Sequence, residues 1–159
     1  PEKIDFKEIL NPLIQLYKEE VRVIARKYGL PKSITERQPF PGPGLAVRIV
    51  GEITDEKLNI LKRADKIVRD ELDKLEKRPS QYFAYLIDAS VTGVKGDERK
   101  VGYPIVIRSV DTTNYMTAER SRLSDEILTK LASEIGSIDG VTRVLYALSP
   151  KPFATVEPL

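Results

Sequence analysis

The residues best suited to chemistry on an anion are Arg37, at the head of the run Arg37-Gln38-Pro39-Phe40-Pro41-Gly42-Pro43-Gly44-Leu45, and Lys151 with Glu157 near the end of the chain. Arg37 offers a planar, permanently charged fork of donors that suits a phosphate or a carboxylate. Each proline behind it fixes φ, removes a donor and pushes Gln38, Phe40 and Gly42 towards extended backbone, so the loop loses little entropy on binding. Gly42 and Gly44 allow φ > 0 and close approach of another group to the main chain. A stiff interdomain hinge with a solvated Arg37 has the same composition, and composition alone does not separate the two. In the tail, prolines on both sides of Lys151 oppose fraying; if ordered, Lys151 could hold a phosphate and Glu157 could accept from a base N–H or a ribose hydroxyl. A disordered terminus suits the same residues.

The totals narrow the chemistry further. With neither histidine nor cysteine, the chain has no imidazole base, no thiolate nucleophile and no zinc–thiolate site; proton transfer falls to carboxylates, lysine or tyrosine, or to another part of a larger protein. Lys and Arg number 26 against 24 Asp and Glu, and a net charge of +2 gives no broad pull towards nucleic acid or membrane. No apolar run reaches membrane-spanning length, and Pro1-Glu2-Lys3-Ile4-Asp5 lacks the basic-then-apolar pattern of a leader. A cytoplasmic protein is expected, and a start at proline suggests a piece of a longer one. At 159 residues the expectation is one domain plus a flanking segment.

Three helices and several strands must position these groups. Asn11-Pro12 is a good helix start, and Leu13, Leu16, Tyr17, Val21, Ile24 and Tyr28 repeat at helical spacing up to Gly29 and Pro31. Lys18, Arg22 and Arg26 read as its solvated face. Leu45 to Val50 alternates as a strand closed by Gly51, with Arg48 opposite Val47 and Ile49. Thr54, followed by Asp55 and Glu56, caps a helix carrying Leu58, Leu61, Ala64, Val68, Leu72 and Leu75. Tyr82–Ile87 reads as a strand that Ala89–Thr92 continues or restarts; Gly93 to Asp97 reads as a turn, and Tyr103–Val110 as the returning strand. Asp111 to Ala118 is a polar connection. Ser124 caps a helix with Ile127, Leu128, Leu131, Ala132 and Ile135, and Val141–Leu148 reads as the last strand.

The order strand, helix, strand, strand, helix, strand predicts an α+β fold: a two-layer module with a mainly antiparallel sheet, preceded by a helix from an upstream domain. Tyr82, Phe83, Tyr85, Ile105, Ile107, Leu145 and Leu148 cannot all face the helices, so an uncovered apolar sheet face that a second copy of the chain covers is expected.

Arg37-Gln38-Pro39-Phe40-Pro41-Gly42-Pro43-Gly44-Leu45-Ala46-Val47-Arg48 resembles the Arg-His-Pro-Phe-Pro-Gly-Pro-Gly-Leu-Ala signature of the GMP synthase family. The resemblance extends upstream through Pro12-Leu13, Glu20-Val21-Arg22 and Gly29-Leu30-Pro31. Downstream it takes in Gly93 to Asp97, Met116-Thr117-Ala118, Arg143-Val144 with Tyr146, and Lys151-Pro152-Phe153-Ala154-Thr155-Val156-Glu157.

The resemblance implies a ligase that aminates XMP to GMP with ATP and glutamine-derived ammonia through an adenylyl-XMP intermediate. Residues 1–36 would be the last helix and linker of its ATP-pyrophosphatase domain, and 37–159 its dimerisation and XMP-binding domain. No Ser-Gly-Gly-Val-Asp-Ser type loop occurs here, so ATP and Mg²⁺ are expected to bind mainly outside this segment, which alone is expected to be inactive, with no catalytic residue and no metal ligand of its own. By the same resemblance Arg37 and Lys151 contact the XMP phosphate, Pro41, Gly42, Pro43 and Gly44 shape the pocket, and Thr155 and Glu157 lie near the nucleotide. The implied partners are a second copy of the chain, XMP, and a glutamine amidotransferase domain or subunit, with no nucleic acid and no membrane. Gln38 replaces the family's histidine, Phe153 a common proline, and Pro158-Leu159 the usual Trp-Glu, so roles at those positions do not carry over. The alternatives are a KH-like nucleic-acid module, from the Gly93-Val94-Lys95-Gly96 spacing, and a purely structural dimerisation domain.

Overall fold

The structure, a computed structural model, describes residues 8–113 and 116–159; the leader reading at Pro1 to Asp5, and Asn114-Tyr115 of the polar connection, lie outside the described residues. The chain divides into two compact units, Pro1–Gln38 and Pro39–Leu159.

In the first unit, α1 (Lys18–Lys27) and α2 (Lys32–Thr35) are helical. α1 starts later than the Asn11-Pro12 signal suggests. Turns closed by Ile14 N–H to the Asn11 carbonyl and Leu16 N–H to the Leu13 carbonyl occupy that stretch. Tyr17 is extended (φ −72°, ψ 157°), and its N–H donates to the Glu20 carboxylate at 2.8 Å, so the helix is capped at Tyr17 rather than at Asn11. Glu19 and Glu20 in the first turn, with Arg26 and Lys27 in the last, suit the helix dipole.

The second unit runs β1 (Ile49–Val50), α3 (Asp55–Leu72), β2 (Gln81–Ile87), β3 (Val91–Lys95), β4 (Glu98–Asp111), β5 (Glu119–Arg120), α4 (Asp125–Gly136) and β6 (Val141–Tyr146). It forms the expected α+β module. β2, β3 and β5 pair antiparallel with β4, whereas β1–β2 and β4–β6 are parallel, each parallel pair bridged by a helix as such a crossover requires. β4 is the axis of the sheet: its first half pairs with β3 and its second half with β2.

Both long helices start where their caps predict. The Thr54 hydroxyl accepts from Lys57 N–H at 3.3 Å, and the Ser124 hydroxyl from Ile127 N–H at 3.3 Å. Ile60, Leu61, Ala64, Val68 and Leu72 of α3, with Leu131 and Ile135 of α4, pack on Tyr82, Ala84, Leu86, Ile105 and Ile107 of the sheet's inner face.

Two local expectations change. The strand expected over Leu45 to Val50 is a single 3-10 turn, Leu45–Arg48, followed by only two strand residues. Gly44 causes this: its N–H closes a turn onto the Pro41 carbonyl at 3.0 Å, and its φ of +89° redirects the chain, so that Arg48 and Ile49 are both buried instead of alternating. The turn expected over Gly93 to Asp97 narrows to Gly96-Asp97, because Gly93, Val94 and Lys95 pair with Lys100, Arg99 and Glu98.

Gly51 sits at φ +132°, and a Cβ there would meet the Asp88 Cβ at 2.3 Å. Asp88 is also pinned, accepting from Glu52 N–H at 3.0 Å and pairing with Lys57 Nζ at 2.8 Å. Gly51→Ala is therefore expected to cost about 1–3 kcal/mol from backbone strain alone, with the clash added, read as a shift of the urea-unfolding midpoint.

Candidate substrate-binding site

The antiparallel register sets Gln81 opposite Val110, Phe83 opposite Arg108 and Tyr85 opposite Val106, so these six share the face turned away from α3 and α4. Two arginines and the tail cover part of it. The Arg48 guanidinium lies over the Phe83 ring, 3.8 Å from its centroid, and 5.2 Å from that of Phe40. Such stacking suits a planar cation stripped of water.

Arg48 donates through Nε to Glu157 Oε2 at 3.0 Å and through Nη2 to Oε1 at 2.9 Å, a two-pronged bond between a buried cation and a tail carboxylate. Gln81 Nε2 donates to the same Oε1 at 2.8 Å. Behind the guanidinium, Nη1 lies 3.5 Å from Asp65 Oδ1, which accepts from Ala84 N–H at 3.1 Å, while Arg69 Nε pairs with Oδ2 at 2.9 Å. Burial pushes the Asp65 carboxyl above its usual value, opposed by the Ala84 N–H and then by Arg69 and Arg48. The second arginine, Arg108, donates to the carbonyls of Ser149 at 2.6 Å and Thr155 at 3.1 Å. Burial lowers its pKa, which the nearby Tyr85 and Tyr146 partly oppose.

The tail is thus folded rather than frayed. Lys151 and Ala118 exchange main-chain bonds of 2.7 and 2.9 Å, and the Thr155 hydroxyl donates to the Glu157 carbonyl at 2.6 Å. The apolar face expected to lie open is split in consequence: of the residues expected there, Phe83 is fully buried within this one chain, whereas Leu145 and Leu148 stay 47% and 63% exposed. The reason is that Arg48 and the tail already occupy the part of the face around Phe83.

Arg37 belongs to the first unit, where it is exposed and its carbonyl accepts from Arg22 Nη2 at 2.9 Å. Pro41, Gly42, Pro43 and Gly44 form the turn ahead of Arg48. Lys151 is half-buried and Thr155 exposed, and the Glu157 carboxylate is held by Arg48 and Gln81. Through Phe40 on one side and Glu157 on the other, the proline-glycine loop and the tail converge on Arg48. Asp65, Gln81, Arg48 and Arg108 escaped the sequence reading as site residues. For the two arginines the signal was a charged group beside apolar residues, in Val47-Arg48-Ile49 and Val106-Ile107-Arg108, whereas Asp65 beside Lys66 and Gln81 beside Ser80 carried none; alternation assigns the face but not the burial.

A sequence profile of the family described as GMP synthase C terminal domain matches residues 68–158. This chain belongs to the GMP synthase C-terminal domain family. It is similar to a subunit of the glutamine-hydrolyzing GMP synthase of Archaeoglobus fulgidus, 51% identical over 158 residues that cover 99% of this chain and 51% of that protein. It is 52% identical over 159 residues to the like-named subunit of Methanococcoides burtonii, with 99% of this chain and 51% of that protein covered. Against the glutamine-hydrolyzing GMP synthase of Natranaerobius thermophilus it is 48% identical over 160 residues, which are 99% of this chain and 31% of that protein. The chain therefore spans about half the length of the archaeal relatives and about a third of the bacterial one. The family match itself contains Gln81, Arg108, Lys151, Thr155 and Glu157.

Proposed function

We propose that this chain is the XMP-binding and dimerisation portion of a GMP synthase, a cytoplasmic ligase that aminates XMP to GMP with ATP and glutamine-derived ammonia through an adenylyl-XMP intermediate. The observation that carries the reading is the convergence of the signature loop and the tail on Arg48, which brings Glu157 and the turn of Pro41, Gly42, Pro43 and Gly44 to one buried cation. By the family resemblance Lys151 and Arg37 are each assigned to the nucleotide phosphate, and Thr155 and Glu157 are assigned places near the nucleotide. Residues 1–36 close the ATP-pyrophosphatase domain, and 37–159 form the substrate and dimer module.

ATP and Mg²⁺ bind mainly outside this segment. Ammonia comes from an amidotransferase domain or subunit, and because the archaeal relatives are named as one subunit of their enzyme, a separate subunit is favoured. Exposed Leu145 and Leu148 support pairing with a second copy. The KH-like reading has no support, since Gly93 lies in β3 and Gly96 in a hairpin turn, not in a loop between helices. No helix among the described residues is long and apolar enough to cross a membrane.

Calorimetric titration of XMP, and separately of a short RNA, into the native protein that contains this chain tests the reading. Arg37→Ala and Lys151→Ala are each expected to weaken XMP by about 1.5–3 kcal/mol, with no RNA binding in any variant. Unchanged XMP affinity in both variants would remove the site.

A further inference from the structure

We infer that Arg48 is a positioning residue for Glu157, fixing the tail carboxylate in the orientation in which it meets the nucleotide. The inference rests on the XMP-binding reading above. Four features single out this arginine. It is 2% exposed, so its charge has been taken out of water for a purpose that an exposed ion pair would not need. Its two donors grip both oxygens of one carboxylate, which fixes the plane of that group as well as its place; a lysine, a point charge on a flexible stem, cannot do this.

The guanidinium is itself held by three groups, lying over the rings of Phe83 and Phe40 and 3.5 Å from the Asp65 carboxylate. Asp65 in turn is tied to the Ala84 main chain of β2, so the plane of the Glu157 carboxylate is referred back to the sheet and not to the mobility of a chain end. Finally, the carboxylate is not used up. Arg48 and Gln81 donate three hydrogen bonds to a group with about four acceptor sites. With 24% of the Glu157 side chain exposed, one acceptor remains for a ligand donor such as a base N–H or a sugar hydroxyl.

A residue that only stapled the tail down would act on stability and on every substrate alike. A residue that orients Glu157 acts on the nucleotide alone, and only while Glu157 is present. The experiment uses the native enzyme in four forms, parent, Arg48→Lys, Glu157→Gln and the double variant, with XMP titrated into each and steady-state KM measured for XMP and ATP. Ile135→Val, a core truncation on α4, controls for general loosening, and thermal melts give the folded fraction. The expected result is that Arg48→Lys and Glu157→Gln each weaken XMP about tenfold or more, that the double variant is no worse than the weaker single, and that KM for ATP does not move. Ile135→Val should lower the melting temperature without changing either KM.

A loss with Glu157→Gln but none with Arg48→Lys overturns the positioning role while leaving the XMP site intact. Effects of the two substitutions that simply add, or a rise in KM for ATP matching that for XMP, overturn it as well. No loss with Glu157→Gln overturns both the inference and the assignment of Glu157 to the nucleotide. If Arg48→Lys does not fold, Gln81→Leu, which removes the other donor to Glu157 Oε1, must weaken XMP in a Glu157-dependent way for the held carboxylate to stand.

Discussion

Asp65→Ala is expected to destabilise the second unit by about 3–5 kcal/mol, the cost of removing one partner from a buried ionic cluster. Asp65 is fully buried, and three groups depend on it: the Ala84 N–H on Oδ1, Arg48 beside the same oxygen, and Arg69 on Oδ2. Truncation leaves a main-chain donor unsatisfied and the Arg48 charge without its rear partner, and both penalties fall in a site closed to water. Asp65→Asn should cost less, because an amide oxygen still accepts from Ala84. It should also change the pH dependence.

Burial raises the folded pKa of Asp65 above its ordinary value of 3.8, so over that window the folded protein binds more protons than the unfolded chain. Its contribution is therefore fully present below 3.8 and is lost as pH rises through the folded value. Depressed acids slope the other way: Asp88, held low by its hydrogen bond to Lys57, stabilises above its unfolded value and loses that contribution as pH falls. The difference between parent and Asp65→Asn isolates the Asp65 slope. Urea melts across the acid range check it, and a difference that rises with pH in that window would contradict the direction.

Arg108→Met should separate tail attachment from global stability. Arg108 is buried with two carbonyls as its partners, those of Ser149 and Thr155, which bracket Lys151. Hydrogen bonds from a charged donor are worth about 1.5–3 kcal/mol each, so losing both removes about 3–6 kcal/mol from the closed tail. The core loses little of this, because the replacement relieves the burial of a guanidinium and the freed carbonyls can turn to water as the tail lifts. Hydrogen exchange should report a hundredfold or greater loss of protection, about 3 kcal/mol or more, for the Lys151 and Ala118 amides that exchange main-chain bonds. The unfolding midpoint should move far less. Equal losses at both would mean that the tail and the core unfold as one.

The legibility of the chain follows the range of the forces involved. Helix caps and local propensity work within a few residues, so Thr54 and Ser124 marked α3 and α4 correctly, and the aromatic and branched residues of Tyr82 to Ile87 marked β2. Leu45 to Val50 misled because its alternation is real but Gly44 redirects the chain just before it, and a single left-handed residue outweighs a six-residue pattern. At the chain start, Asn11-Pro12 is a fair cap, yet the Glu20 side chain made a better one at Tyr17. The site residues named from the loop and tail carried a family signature; Arg48 lay in the same run but read only as the outward side chain of a strand, Arg108 showed only a charge beside apolar residues, and Asp65 and Gln81 carried no local signal that sets them apart.

By itself, then, the sequence determined the α+β order of elements, the stiffness of the proline-glycine loop, and the absence of imidazole and thiol chemistry, because propensity, capping and composition are local or additive. Only the tertiary structure decided which face of the sheet the tail covers and which charges meet there. Arg48 and Glu157 stand 109 residues apart, and no local rule pairs them. They meet because β2 lies between β1 and β4, which brings the entry to β1 and the end of the chain to the same side of one sheet, where two opposite charges removed from water satisfy each other.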